Sequence, residues 1–460
     1  MNNGLFNEFN PVSAKKWKQK IQFELKGADY NETLIWKSNE DISVKPFYNS
    51  EDFKDSSKAL KTTGTQFNIC QSIFVADVKK SNKKAINAIK NGAESIQFTI
   101  PSESVSINEL LENINLDSIP IYFELQFLSE SFIKQIAAVK SNAGIYIQND
   151  IIGNLARSGN WFYNLNADFD ILKNVFTHTS LLSTSSISID TSLYQNAGAN
   201  MVQQLAYALA HANEYLNYFK NTGQLKQPFN VTFKVAVGSN YFFEIAKLRA
   251  LRILWNTLAL EYNINSECHI IAFPTKRNKT IYDYNTNLLR TTTECMSAIL
   301  GGSNIIINLP YDVIYHKTNG FSTRMARNQL LILKHESHFN KVNNPSDGAY
   351  YIESLTSQLA DKSLVLFKDI EASGGFLKQL KEGTIQRKIK DSAAKEQQQF
   401  DAGEEVLLGT NKHPNPSDKM KDELELYPFV KTHQRKTLIE PIIEKRLAEK
   451  LEQKRLKNEN

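Results

Sequence analysis

Between Ser72 and Phe376 the chain alternates short apolar, β-branched runs with stretches of helical period. The runs are SIQFTI, IPIYFELQ, AGIYIQ, SSISID, FNVTFKVAV, CHIIAFP, NIIINLP and GAYYIES. The stretches include INELLENIN, FIKQIAAVK, YFFEIAKLRALRILWNTLA, LLRTTTECMSAILG and RMARNQLLILKHESHF. A strand that is apolar on both faces and followed by a helix belongs to a parallel sheet covered on both sides. Eight such units fit a (β/α)8 barrel, which takes about 250 residues, better than an open doubly wound sheet. In either fold the chemistry sits where strands end and turn into helices.

The flanks read differently. Residues 1–71 carry a helical stretch around Trp17, then ETLIWKS and ISVKPFY, with too little core to fold alone; they predict an arm that wraps another surface. Residues 72–376 form the barrel. Residues 377–460 are charged and helical, with candidates in QRKIKDSAAKEQQQFDAGEEV and PIIEKRLAEKLEQKRLKNEN. In the second, Ile443, Leu447 and Leu451 fall at i, i+4, i+8 and make a narrow apolar stripe. A stripe of that width fits a helix docked on its own barrel or one that binds a partner.

Charge and cysteine content exclude several classes. The 54 Lys and Arg outnumber the 49 Asp and Glu by only five, and both signs are dispersed. That is a solvated surface and not a nucleic-acid stripe. The three cysteines Cys70, Cys268 and Cys295 are widely spaced, which fits free thiols in a reducing compartment. The amino terminus lacks a basic-then-apolar leader, and no apolar run reaches the ~20 residues of a membrane span. The expected location is cytoplasmic, with no membrane and no nucleic acid as partner.

Motifs for chemistry are sparse. His335-Glu336-Ser337-His338 has its histidines at i, i+3, whereas the zinc-protease helix needs i, i+4. Gly301-Gly302 and Gly374-Gly375 read as helix stops. Phosphate-binding G-x-x-x-x-G-K-[ST], dinucleotide G-x-G-x-x-G and the G-x-S-x-G elbow are absent. The helix EIAKLRALRILW places Glu244, Lys247, Arg249 and Arg252 among leucines. Glu244 and Lys247 pair at i, i+3, and Arg252 is exposed, in the plain reading; in the other, an arginine anchors an anionic ligand or a partner carboxylate. The turn TSLYQNAGAN, Thr191–Asn200, follows a strand yet offers only Ser192, Leu193 and Tyr194, with no ionisable group between Asp190 and His211. Lys276, Arg277 and Lys279 form a basic loop able to meet phosphates.

Taken in order, WKQKIQFELKGADYNETLIW, ISVKPFY, EIAKLRALRILW, RTTTECMSAILGG, RMARNQLLILKHES, NNPSDGAYYIESLT and FDAGEEVLLGTNK resemble methylmalonyl-CoA mutases over roughly Phe9 to Asn411. That resemblance implies a barrel that takes acyl-CoA along its axis, and a separate flavodoxin-like domain that binds cobalamin through a D-x-H-x-x-G histidine. This chain departs from the catalytic pattern. No histidine stands in that motif, and residues 377–460 do not read as a doubly wound domain. The positions of the catalytic Tyr-His pair, counted back from Ala197-Gly198-Ala199, hold Ser192 and Leu193. A leucine neither donates a proton nor hydrogen-bonds a thioester carbonyl. The segment KTTGTQFNICQSIF replaces the Tyr-rich loop ending in Trp-Thr-Ile-Arg-Gln. The loop TKRNKT replaces the CoA-contacting Gln-Thr-Ser-Gly-Trp.

The resemblance therefore implies the non-catalytic small subunit of a heterodimeric member of this isomerase family, serving propionate metabolism. Its partner would be the large catalytic subunit, which would hold adenosylcobalamin and interconvert (R)-methylmalonyl-CoA and succinyl-CoA. No catalytic, cofactor-binding or metal-binding residue is expected on this chain. The alternatives are a self-sufficient barrel enzyme with a diverged site, or a CoA-binding protein that uses Lys276, Arg277 and Lys279.

Overall fold

The computed structural model describes residues 8–52, 64–179, 184–185, 187–225, 229–431 and 435–459. Eight parallel strands form a nearly closed barrel. They are β1 (Asn68–Phe74), β2 (Ser95–Ile100), β3 (Ile121–Leu125), β4 (Ile145–Gln148), β5 (Thr184–Ser185 and Ile187–Asp190), β6 (Val231–Val237), β7 (Cys268–Pro274) and β8 (Ile305–Ile307). Neighbours pair in sequence order, and β8 returns to β1 with Ile305 opposite Asn68 and Ile307 opposite Cys70. Ser186 of the expected run SSISID lies outside the described residues; the first piece of β5 pairs with β4 and the second with β6. This is the predicted (β/α)8 class.

One of the eight expected strands fails, and one strand was not expected. GAYYIES is not a strand; a 23-residue helix, Tyr350–Ala372, starts within it. Its buried Ile352, Leu355 and Leu359 follow the helical period, which a short apolar run conceals. In its place β1 is NICQSIF. Polar Gln71 and Ser72 interrupt that run, and it crosses the expected 71/72 division between arm and barrel.

The helix Tyr241–Glu261 packs against Tyr350–Ala372 and Met201–Asn221 on the outer wall, and its charges are internal staples. Glu244 and Lys247 pair at 2.6 Å in full burial. Arg249 meets Glu353 at 2.6 Å and also pairs with Asp347, so its carboxylate partners lie in this chain. Arg252 is buried, not exposed as expected: it donates to the carbonyls of Cys268 (2.7 Å) and Gly302 (2.5 Å) and to Asn304 Oδ1 (2.9 Å). A guanidinium has enough donors to satisfy three acceptors at once, which lets it be buried without a counter-ion.

In the arm, a short antiparallel ladder joins Trp36–Lys37 to Ser43–Val44, with Ile42 buried and Trp36 edge-on to Phe243. The helix Ala14–Glu24 before it buries nothing. Residues 1–7 and 53–63 of the arm lie outside the described residues. After the barrel come helices Phe376–Lys381 and Thr384–Ala402, the latter ended by left-handed Gly403. The helix expected across PIIEKRLAEKLEQKRLKNEN is confined to Glu449–Lys457. Residues 435–447 run as an irregular strap, because their N–H groups bond barrel loops instead of carbonyls four residues back. The expected apolar stripe is dispersed: Leu447 is buried, whereas Ile443 and Leu451 are exposed.

Candidate functional site

The carboxyl ends of the strands open into a polar cavity of ≈ 570 Å³. This is where a parallel barrel keeps its chemistry. Lys234 on β6 points into it and pairs with Glu124 on β3, two strands that are not neighbours, so the pair spans the mouth. Asp190 at the end of β5 lies 3.6 Å from Lys234 and 3.1 Å from Arg157. Burial opposes the charge of Asp190, but Lys234 and Arg157, with two hydrogen bonds from Ser192, hold its carboxyl at about 2. Burial likewise opposes ionised Glu124, and Lys234 keeps it below the usual carboxylate range. Lys234 is raised in turn: burial disfavours its charge, and Asp190 and Glu124 outweigh it. The Gln148 amide, buried in the same mouth, has neither its Nε2 nor its Oε1 bonded.

The turn Thr191–Asn196 stitches this rim together. Thr191 donates from its N–H (2.9 Å) and its Oγ1 (2.7 Å) to the Lys234 carbonyl, fixing β5 against β6. Ser192 donates from both N–H and Oγ to Asp190. Tyr194 turns inward to His211 Nδ1 at 3.0 Å, and His211 Nε2 meets Asp150 Oδ1 at 2.9 Å. With Nε2–H donating to the carboxylate, Nδ1 is left to accept the Tyr194 hydroxyl. Tyr215 O–H also donates to Asp150 Oδ1 at 2.6 Å, and the N–H groups of Gly153 and Asp190 complete its set at 2.8 Å each. Burial opposes the charge on Asp150, and these partners keep its carboxyl below the normal range. His211 has no exposed surface. Leu193 is also 0% exposed and belongs to the main apolar core, so it faces away from the mouth.

The carboxy-terminal strap closes over the rim. Ile439 N–H bonds the Gly159 carbonyl at 3.2 Å, Ile442 the Ala156 carbonyl at 2.8 Å, Lys445 that of Asn196 at 3.1 Å and Leu447 that of Arg277 at 2.8 Å. From it Glu444 enters the mouth, accepting from Arg157 at 2.7 Å and from Asn196 Nδ2 at 2.9 Å.

The barrel axis below the mouth is filled. Tyr122 on β3 stacks on Tyr146 on β4 with ring centroids 4.5 Å apart, and Tyr146 stacks on His269 on β7 at 4.9 Å. Tyr122 O–H and His269 Nε2 are 3.2 Å apart. Strands β3 and β4 do not neighbour β7, so these contacts cross the lumen. Desolvation, helped by Arg252, pushes His269 down to about 3, which leaves it neutral. Cys70, Ile271, Ile305 and Ile307 pack into the same cluster.

Of the residues singled out from sequence, only Lys276 of the basic loop is exposed at the mouth. Arg277 bonds Glu396 at 2.6 Å and the Lys445 carbonyl at 2.8 Å, and Lys279 is buried on Glu294 at 2.7 Å. Neither is left to meet a phosphate. His335 lies in a π-turn, Ile332–Glu336, and both it and His338 are exposed. Among the described residues no group of three His, Cys, Asp or Glu is placed to hold a metal, and no helix is long and apolar enough to cross a membrane. The mouth charges were missed, although Asp190 and Lys234 are charged residues in otherwise apolar strands, a legible sign of an inward polar position. Among the described residues of the mouth, Glu124, Asp190, Lys234, Arg157 and Glu444 are paired with one another, and Lys276 is exposed.

The methylmalonyl-CoA mutase family model matches residues 99–458. A methylmalonyl-CoA mutase small subunit from Porphyromonas gingivalis is 32% identical, over 92% of this chain and 73% of its own length. Methylmalonyl-CoA mutase from Cereibacter sphaeroides is 29% identical over 86% of this chain, and the mitochondrial methylmalonyl-CoA mutase of Homo sapiens is 28% identical over 89%. The chain spans 64% and 62% of the length of those two mutases, less than two thirds.

Proposed function

The chain belongs to the methylmalonyl-CoA mutase family, and on that premise we propose that it is the non-catalytic small subunit of a heterodimer whose large subunit performs the isomerisation. The observation that carries the reading is the filled barrel. An acyl-CoA threading the axis would have to displace the Tyr122–Tyr146–His269 stack, and one entering from the mouth would meet the strap and Glu444. The positions aligned with the catalytic pair are equally unfit: Ser192 is tied to Asp190, and Leu193 faces the core.

The residues of this chain do not fit adenosylcobalamin. No histidine stands in the D-x-H-x-x-G setting, and the described residues after the barrel form helices and a strap instead of a doubly wound sheet. We therefore assign the cofactor to the large subunit and route no step through this chain. Pairing is supported by the arm, where Phe9, Trp17 and Phe23 are 71%, 57% and 78% exposed on a segment without a core of its own. Large apolar side chains exposed on such a segment are available to a partner. Gel filtration of the chain with and without the large subunit tests the proposal. A one-to-one complex, with mutase turnover only when the large subunit is present, is the expected result; turnover of methylmalonyl-CoA by this chain alone would reject it.

A further inference from the structure

A second cavity, ≈ 900 Å³, lies outside the barrel axis between β1 with its following helix Val78–Lys90 and the segment after β8. Four cations line it: Lys84, Lys317, Arg324 and Arg327; no Asp or Glu does. Arg327 is only 7% exposed, and its hydrogen bonds go to neutral groups, the Asn91 carbonyl at 2.9 Å and Gln71 Oε1 at 3.1 Å. Two carboxylates close to the lining residues His316, Asn319 and Lys317 are engaged elsewhere. Asp312 is buried behind His316 (3.2 Å) and Asn319 (2.8 Å), and Glu425 accepts from the Lys317 backbone N–H at 2.8 Å. The 12-residue helix Gly320–Leu331 begins at the cavity edge, adding the positive end of its dipole. The opposite wall is apolar, with Phe74, Val313 and Leu426.

A buried guanidinium next to a second one, without a carboxylate, is an uncompensated positive field in a low-dielectric setting. Burial and the adjacent Arg324 both work against the charge on Arg327, which an anion would relieve. Arginine forks match phosphate oxygens, and cavities of roughly 300–1,000 Å³ hold small organic ligands. We propose that this cavity binds an adenosine-type pyrophosphate, its phosphates on Arg327, Arg324, Lys317 and Lys84 and its base on the Phe74–Val313–Leu426 wall. The site is separate from the mouth and does not depend on the subunit role proposed above.

The test is calorimetric titration of the full-length chain with ADP, with CoA and with inorganic pyrophosphate. ADP and CoA share the adenosine pyrophosphate, so the tighter of the two names the source, while inorganic pyrophosphate lacks the base. Saturable one-to-one binding of ADP or CoA, at least about tenfold tighter than inorganic pyrophosphate and weakening with salt, is expected. Arg324→Gln with Lys317→Gln, both exposed and tolerable to the fold, is expected to weaken that binding about tenfold or more with unchanged circular dichroism. Arg327→Met is a second variant, and Arg157→Gln in the mouth is the control that leaves binding intact. Absence of saturable binding at millimolar ADP and CoA overturns the proposal. So does binding that ignores the cavity variants, or inorganic pyrophosphate binding as tightly as the nucleotides.

Discussion

The Glu444 carboxylate lies 2.7 Å from the Arg157 guanidinium, joining two residues 287 positions apart across the barrel mouth. Both side chains are about two-fifths exposed. A pair so hydrated contributes at most ~1 kcal/mol. The strap is therefore held by its backbone bonds to the barrel loops and by buried Ile442 and Leu447. In urea unfolding, Glu444→Gln is expected to cost less than ~1 kcal/mol, and Leu447→Ala about 2–5 kcal/mol. A double-mutant cycle of Arg157→Gln with Glu444→Gln should show coupling below ~1 kcal/mol. The opposite ranking would make the ion pair, not the packing, the lock on the mouth.

Lys234 sits between two carboxylates in the mouth, and removing it leaves Glu124 without a cation and Asp190 with Arg157 alone. Lys234→Met is expected to destabilise by on the order of 3 kcal/mol, because unpaired buried charge costs more than the pair gains. The pH dependence follows from Asp190. Its folded value is depressed to about 2, so its contribution is complete above the unfolded value near ~3.9 and is lost as pH falls through the folded value. Melting temperature measured from pH 5 down to pH 2 should therefore fall in the native chain. It should fall less steeply in Lys234→Met, where the depression is smaller. Parallel slopes in the two proteins would show that Lys234 does not set the Asp190 titration.

Refitting the lost pair, Ser192→Tyr with Leu193→His, is expected to give no mutase turnover, even with added adenosylcobalamin. The Leu193 site is a core position, and an imidazole placed there lacks a partner. The cost should be about 1–3 kcal/mol of stability, read by thermal unfolding. The radical chemistry belongs to the cofactor, so barrel groups have nothing to steer without it. Cobalamin-dependent turnover by the double variant would mean that this chain seats the cofactor after all.

Strands β2 to β8 were readable because each is a β-branched run bounded by turn residues, and a parallel barrel needs little more. The failures have specific causes. β1 hides its period behind Gln71 and Ser72, which face the rim and the second cavity. Tyr350–Tyr351–Ile352 looks extended until the period of the whole helix is counted. Arg252 looked free because its acceptors, Cys268, Gly302 and Asn304, come from later strands and loops. The mouth was half legible: charged Asp190 and Lys234 in apolar strands announce an inward polar position. That Glu444 would join them was not, since Pro441 to Arg446 reads as helix locally and is held as a strap only by loops far away in sequence.

The proposed pairing puts the arm to use. Its helix Ala14–Glu24 buries no residue, and Trp17, 57% exposed, meets the Phe47 ring at 5.6 Å between centroids. By contrast the ladder at Trp36–Val44 is already seated on the barrel, with Ile42 fully buried. Ala14 N–H bonds Glu51 and Lys18 lies over Tyr30, yet Phe9, Trp17 and Phe23 keep more than half of their surface exposed, apolar area that a partner could cover. A permanent heterodimer commonly buries upwards of ~2,000 Å², more than a transient contact. Deleting Met1 to Tyr48 is expected to abolish co-purification with the large subunit. The far-UV circular dichroism should remain helical, because the barrel and its outer helices keep their core. A truncated chain that still co-purifies at one-to-one stoichiometry would move the interface to the barrel faces. A truncated chain that loses its helical signal would show instead that Ile42 and the ladder are part of the barrel core; Met1 to Leu25 is then the deletion that isolates the exposed helix, and it must abolish pairing for the arm to be the pairing element.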